Sequence, residues 1–181
     1  AWMHLGMIYI ANKQFADAKK ALKRSIMLKE SCWSYYGLAN LARIENDKDK
    51  ASSLALKACE ININDISLVK ETLNILISAK KYDTALNLIS KLKTDIQKIK
   101  RIKLYKAFCL AWTDRLEEAE SIIFEEGGIC VPDIREGENS ASELWFIIEE
   151  KKAQKLGKVF NRDEASPPGF LDFRMNVEKK T

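Results

Sequence analysis

The sequence predicts an all-α fold, a stack of helical hairpins, and three observations carry that prediction. Small residues recur at Ala18, Ala51, Ala85 and Ala119, in steps of 33, 34 and 34, an interval that suits one two-helix unit. Around each anchor the apolar residues fall three or four positions apart, so they share one helix face. The three prolines all stand after residue 131 and glycine is sparse at seven, which leaves the first 125 residues free to be helical.

Taken in order, the first hairpin covers about residues 1–28. Trp2, Leu5, Gly6 and Tyr9 share a face of its first helix, Phe15, Ala18 and Leu22 share a face of its second, and Asn12 and Lys13 form the turn. Gly6 and Ala18 are small where the helices approach, and Trp2, Leu5 and Tyr9 are expected to fill the space beside them. The second hairpin spans about 32–61: Tyr35, Leu38, Ala39 and Ala42 take the places of Trp2, Leu5, Gly6 and Tyr9, Ala51, Ala55 and Ala58 follow, and Glu45 to Lys48 make a polar turn. The third, about 65–93, has Val69, Thr72, Leu73 and Leu76, then Tyr82, Ala85, Ile89 and Leu92. In the fourth, about 97–126, the aromatic and the leucine give way to Lys103 and Lys106, while Ala107, Leu110, Leu116, Ala119 and Ile123 keep the register.

Residues 127–181 read differently. Gly127-Gly128 suits a helix C-terminus, and Cys130 to Asn139 is irregular. Ser140 and Glu143 have capping-box spacing at the start of a helix over 140–156, which runs through Trp145, Phe146, Ile147 and Ile148 and stops at Gly157. That helix is expected to shield the open end of the stack. After Pro167-Pro168-Gly169 the chain alternates, with Leu171, Phe173 and Met175 on one side and Asp172, Arg174 and Asn176 on the other. Two readings are open: an extended segment half-buried on a neighbour, and a disordered tail, the latter fitting the Lys179-Lys180 end better.

Composition narrows the function. Net charge is +4, too mild for a nucleic-acid reader. The densest basic run, Lys98, Lys100, Arg101, Lys103 and Lys106, has apolar residues interleaved at helical spacing and reads as a solvated helix face rather than a phosphate patch. Cys32, Cys59, Cys109 and Cys130 lack metal-site spacing; reduced thiols on apolar helix positions point to a reducing, cytoplasmic setting. No apolar run is long enough to span a membrane. Ala1 and Trp2 already lie inside a hairpin with no initiator Met, and the chain is read as a fragment of something longer.

The spacing Trp2-x2-Leu5-Gly6-x2-Tyr9 followed by Ala18 resembles the tetratricopeptide repeat. It departs from that pattern at Leu22, where the family prefers Phe, at Ser25 for Ala and at Glu30 for Pro. The resemblance implies a right-handed superhelix of four hairpins with a C-terminal capping helix and an extended tail. It also implies that the first helix of each pair lines a concave face. By the family's groove positions that face carries Met3, Met7 and Ile10, then Trp33, Tyr36, Asn40 and Arg43, then Lys70, Asn74 and Ile77, then Arg101, Leu104, Phe108 and Trp112. Aromatics mixed with Asn and Arg suit a peptide-binding surface. The other reading is that Trp33, Phe108 and Trp112 pack against the tail or neighbouring helices. Lys70-x3-Asn74 resembles part of a clamp for a C-terminal carboxylate, without the partner residues in the flanking repeats.

A second resemblance lies in Val131 to Glu138 with Leu144-Trp145-Phe146, followed by Pro167-Pro168 and Leu171 to Met175. This pair is similar to the end of large bacterial proteins in which a β-rich, carbohydrate-related domain precedes tetratricopeptide repeats, and it implies that any catalytic domain lies upstream of Ala1.

No catalytic centre is read within these residues. His4 is the sole histidine and has no orienting partner for base chemistry. Glu117-Glu118 and Glu149-Glu150 read as solvated helix faces, and no phosphate loop, metal cluster or nucleophile elbow appears. The expectation is a non-enzymatic protein-interaction module without cofactor or metal, binding a polypeptide segment in its concave face. The alternative is a structural arm that packs on an upstream domain or pairs two copies.

Overall fold

A computed structural model describes residues 1–124 and 140–172. Ten helices and no strand occupy the described residues: α1 (Trp2–Ala11), α2 (Phe15–Leu28), α3 (Cys32–Ile44), α4 (Lys48–Ile61), α5 (Ile66–Ser78), α6 (Tyr82–Lys91), α7 (Thr94–Gln97), α8 (Lys100–Trp112), α9 (Leu116–Ile123) and α10 (Ser140–Lys155). The chain divides into two compact units, Ala1–Lys81 and Tyr82–Thr181. The division falls in the turn of the expected third hairpin.

The turns show the repeat most directly. After α1, α3, α5 and α8 one residue enters the left-handed region: Lys13 (φ 59°), Asn46 (60°), Lys80 (60°) and Asp114 (66°). The next N–H then reaches five residues back, Gln14 to the Tyr9 carbonyl at 2.8 Å, and Asp47 to Ala42, Lys81 to Leu76 and Arg115 to Leu110, each at 2.9 Å. This closure pairs carbonyls that the helix end would leave bare. The four residues are spaced as the four alanines are, and those alanines are all buried.

In the first unit the joint between hairpins is a matter of size. Leu22 is fully buried and lies where a Cβ on Gly6 would come within 2.6 Å of its Cγ and a Cβ on Gly37 within 2.9 Å of its Cδ1. Two glycines on two helices thus clear the volume of one leucine. Ala18, Leu22 and Leu41 form one cluster. At the next joint Ala51, Ala55 and Ala58 of α4 meet Leu68 and Ile75 of α5, and the Thr72 hydroxyl donates to the Ala55 carbonyl at 3.3 Å. Asp47 and Asp65 start α4 and α5 by accepting from the N–H groups of Lys50 and Leu68 at 3.0 and 3.1 Å, as N-caps do. Trp2 corrects an expectation: it does not fill the space between the helices and is 44% exposed, because it stands on the outer side of α1.

In the second unit α10 packs on α8 and α9. Ala141, Leu144, Ile147 and Ile148 join the core that contains Leu110, Ala119 and Ile123, in line with the expected shielding. The single turn α7 was not anticipated. Burial of Ile96 and a bond from Gln97 Nε2 to the Leu92 carbonyl at 2.7 Å hold it. Gly157 ends α10 with φ 67°, its N–H on the Gln154 carbonyl and that of Lys158 on Ala153.

The segment after α10 is tied back to it. Arg162 donates to both oxygens of Glu150 at 2.5 and 2.7 Å and to both of Glu143 at 2.9 and 3.0 Å, and lies over the Phe146 ring. Phe160 meets Trp145 and Phe146 edge-on. Glu143, at the capping-box position, directs its carboxylate to Arg162. Glu149 and Glu150, expected to be solvated, are half-buried and paired with Lys152 and Arg162; Glu118 is exposed and paired with Arg115. Lys100, Arg101, Lys103 and Lys106 are likewise half-buried rather than a fully solvated face. Residues 169–171 turn, with the Leu171 N–H on the Pro168 carbonyl at 2.8 Å, just at the start of the stretch whose alternation suggested extended chain. The turn places Leu171 in the core of this unit.

Cys59 and Cys109 are buried free thiols, and burial pushes them up to about 11 and about 12, so they serve as apolar side chains. The expected cap at Gly127-Gly128, the irregular run Cys130 to Asn139, the alternation beyond Asp172 and the Lys179-Lys180 end lie outside the described residues.

Two outcomes follow. Gly-to-Ala exchange within a helix gains about 1 kcal/mol, but overpacking against a fully buried leucine costs about 1–3 kcal/mol. Gly6→Ala therefore lowers stability to urea, and in a Leu22→Ala background the same exchange becomes neutral or favourable. Arg162 holds the Glu150 carboxyl below its ordinary range, chiefly by hydrogen bonding. A depressed folded-state value contributes stability above the unfolded value and loses it as pH falls through the folded one. Arg162→Met thus weakens the protein at neutral pH and flattens the loss on acidification, read from denaturation midpoints between neutral and acid pH.

Candidate functional site

Helix α3 sets three side chains on one stripe, since Tyr36, Asn40 and Arg43 are four and three residues apart. Trp33 stands one turn earlier and meets the Tyr36 ring edge-on, centroids 5.5 Å apart and planes at 88°, a favoured aromatic geometry. Helix α5 supplies the other wall. The Tyr36 hydroxyl donates to Glu71 Oε2 at 2.8 Å, which fixes the ring and ties α3 to α5 within the first unit. Burial pushes the Tyr36 phenol above its ordinary range and the adjacent Asn40 amide works in the other direction. Tyr36 is therefore a neutral donor under ordinary conditions, with its proton committed to Glu71.

Asn40 is the anomaly. Its Oδ1 is buried and has no hydrogen-bond partner, alone in this respect among the side-chain atoms of the described residues. An acceptor left so costs about 1–3 kcal/mol. It sits beside an aromatic pair, and the exposed Arg43 is one turn away. Chemically the patch offers a flat apolar ring surface, an acceptor in need of an N–H, and a guanidinium.

Of the other expected groove residues, Lys70 is half-buried and Asn74 exposed, four residues apart on α5. Arg101, Phe108 and Trp112 belong to α8 in the second unit. There Trp112 stacks on Tyr82, centroids 5.6 Å apart and planes at 7°, Phe108 contacts both rings, and Lys151 Nζ lies 5.5 Å from the Trp112 centroid. Part of the area expected for a ligand is thus used by packing between α6 and α8. Sequence reasoning missed Glu71 and the ring role of Tyr82. Glu71 had a signal: it stands 34 residues after Gly37, a carboxylate where the preceding repeat has no side chain. His4 is exposed. Among the described residues no His, Cys, Asp and Glu cluster suits a metal ion, and no helix is long and apolar enough to cross a membrane.

Residues 1–32 match the model of the tetratricopeptide repeat family, the stretch that contains α1, the first left-handed turn and α2. No curated protein matches the chain.

Asn40→Leu removes the unpaired acceptor at nearly constant volume. It is expected to stabilise the protein by about 1 kcal/mol, visible as a higher urea midpoint, whereas Tyr36→Phe is expected to lower it.

Proposed function

We propose that the chain is a protein-interaction module that holds a polypeptide segment against the helices that come first in each pair. One stripe of α3 carries this reading: the edge-on pair of Trp33 and Tyr36 stands beside the Asn40 amide and the exposed Arg43. Around it, Trp33 and Tyr36 supply rigid contact area at little entropic cost, and Arg43 supplies charge for an acidic side chain or a carboxylate. Lys70 and Asn74 extend the same surface on α5, and Arg101, Phe108 and Trp112 provide a comparable set in the second unit. The likeness of residues 1–32 to a repeat whose members bind proteins supports the class of ligand. No catalytic role, cofactor, membrane or nucleic acid enters this reading.

A second reading draws on the Tyr82, Phe108 and Trp112 cluster, whose rings are occupied by one another. In it the repeats act as a structural arm that packs on an upstream domain, carbohydrate-related by the C-terminal resemblance, or pairs two copies.

A library of displayed random peptides selected on the purified chain separates the two. For an interaction module, selection converges on a shared motif, and the best peptide loses about tenfold or more in affinity, the equivalent of one charge-assisted hydrogen bond, on Arg43→Glu and on Asn40→Leu. Failure to converge, or binding indifferent to both substitutions, defeats the proposal.

A further inference from the structure

The repeat register lets one place be compared at successive joints, where the start of a hairpin's second helix meets the end of the next hairpin's first helix. Between α6 and α8 that place is held by Tyr82 and Trp112, whose rings stack with centroids 5.6 Å apart. Between α2 and α3 the counterparts are Phe15 and Ile44, and between α4 and α5 they are Lys48 and Ser78. A lysine and a serine thus stand where the other joints have two bulky apolar side chains. A cavity of about 170 Å³ opens there, lined by both of them.

The floor of this cavity is apolar, since Ala51 and Ile75 line it and each is 2% exposed. Its rim is cationic: Arg43 and Lys48 line it and no carboxylate does. The acids nearest in sequence are committed elsewhere. Asp47 accepts from the Lys50 N–H as the cap of α4, and Asp49 pairs with Lys81.

Volume and lining together define an occupant. An apolar cavity of about 150 Å³ takes up a benzene molecule, so this one has room for a single ring. The α6 and α8 joint shows that rings are what the same place receives elsewhere in this chain. Two cations above an apolar floor favour a carboxylate carried close to that ring; a bare phosphate would leave the floor uncovered. We propose that the cavity between α4 and α5 is an anchor pocket for one aromatic side chain of a bound peptide segment, with a carboxylate next to the ring answered by Arg43 and Lys48. A C-terminal aromatic residue presents that chemistry, and so does an internal aromatic followed by Asp. The inference deepens the peptide-binding reading and rests on it, because Arg43 belongs both to the Tyr36 and Asn40 stripe and to the rim of the pocket.

Phenylpropionate is the probe, read by methyl NMR of the full chain. Saturable shifts are expected at the Ile75 and Ala51 methyls. Phenylpropionamide is expected to bind about tenfold more weakly, the equivalent of one charge-assisted hydrogen bond, and Arg43→Gln to cost phenylpropionate the same factor. Lys48→Tyr with Ser78→Trp copies the filled joint and is expected to abolish the shifts while raising the urea midpoint. Ser78→Trp alone, at an exposed position, is the second filling variant should the pair fail to fold. Peptides ending in Phe, with a free or an amidated end, and peptides with an internal Phe-Asp then tell the two sources of the carboxylate apart. No saturable shift at Ile75, equal binding of phenylpropionate and its amide, or binding that survives the filling variants overturns the proposal. Displayed peptides that converge on a motif yet bind the filled variants equally well also overturn it, and leave the interaction module standing. Selection that fails to converge while phenylpropionate saturates the Ile75 shift defeats the module and leaves the pocket.

Discussion

Each hairpin turn depends on a single residue held in the left-handed region. Lys13, Asn46, Lys80 and Asp114 accept a conformation that costs an L-residue about 1 kcal/mol or more, and none is glycine. In return, two helix-end carbonyls gain donors at every turn, at a constant phase of the repeat. Constant phase brings Ala18, Ala51, Ala85 and Ala119 to buried positions, though their neighbours have diverged. Without it the periodic pattern of apolar residues would point in a different direction in each copy.

Once the turns fix the phase, complementarity of size governs the joints of the first unit. One uses a leucine against two glycines; the next uses three alanines against Leu68 and Ile75. Both fill comparable space with the large side chain on opposite partners. Interiors packed to crystal-like density tolerate such exchange only when the total volume is kept, which explains how repeats stack alike while sharing few residues.

The second unit stabilises its end by other means. Arg162 gathers two carboxylates and an aromatic face from α10, and Leu171 enters the core beside Leu144. Half-exposed ion pairs individually contribute little, so the apolar contacts of Phe160 and Leu171 are the main stabilising term and the arginine sets their register. The Asn40 patch stands apart from this economy. There the Asn40 Oδ1 is buried without a hydrogen-bond partner, beside the Trp33 and Tyr36 rings.

The all-helical class, the turn positions and the buried alanines were legible in the amino-acid order, because periodicity and turn polarity are local properties. The match of residues 1–32 to the tetratricopeptide repeat family rests on the same local pattern. The positions Tyr36, Asn40 and Arg43 were legible as one stripe for that reason too. What the sequence could not reveal depends on which side chain lies opposite which. Its pattern left Trp2 as an interior residue, and Phe108 and Trp112 open to two roles. The tertiary structure decided that Trp2 faces outward, that Glu143 answers Arg162, that Tyr82 occupies the Trp112 face, and that Asn40 has an acceptor with nothing to accept. Periodicity specifies the face on which a residue stands; only packing in three dimensions specifies its neighbour.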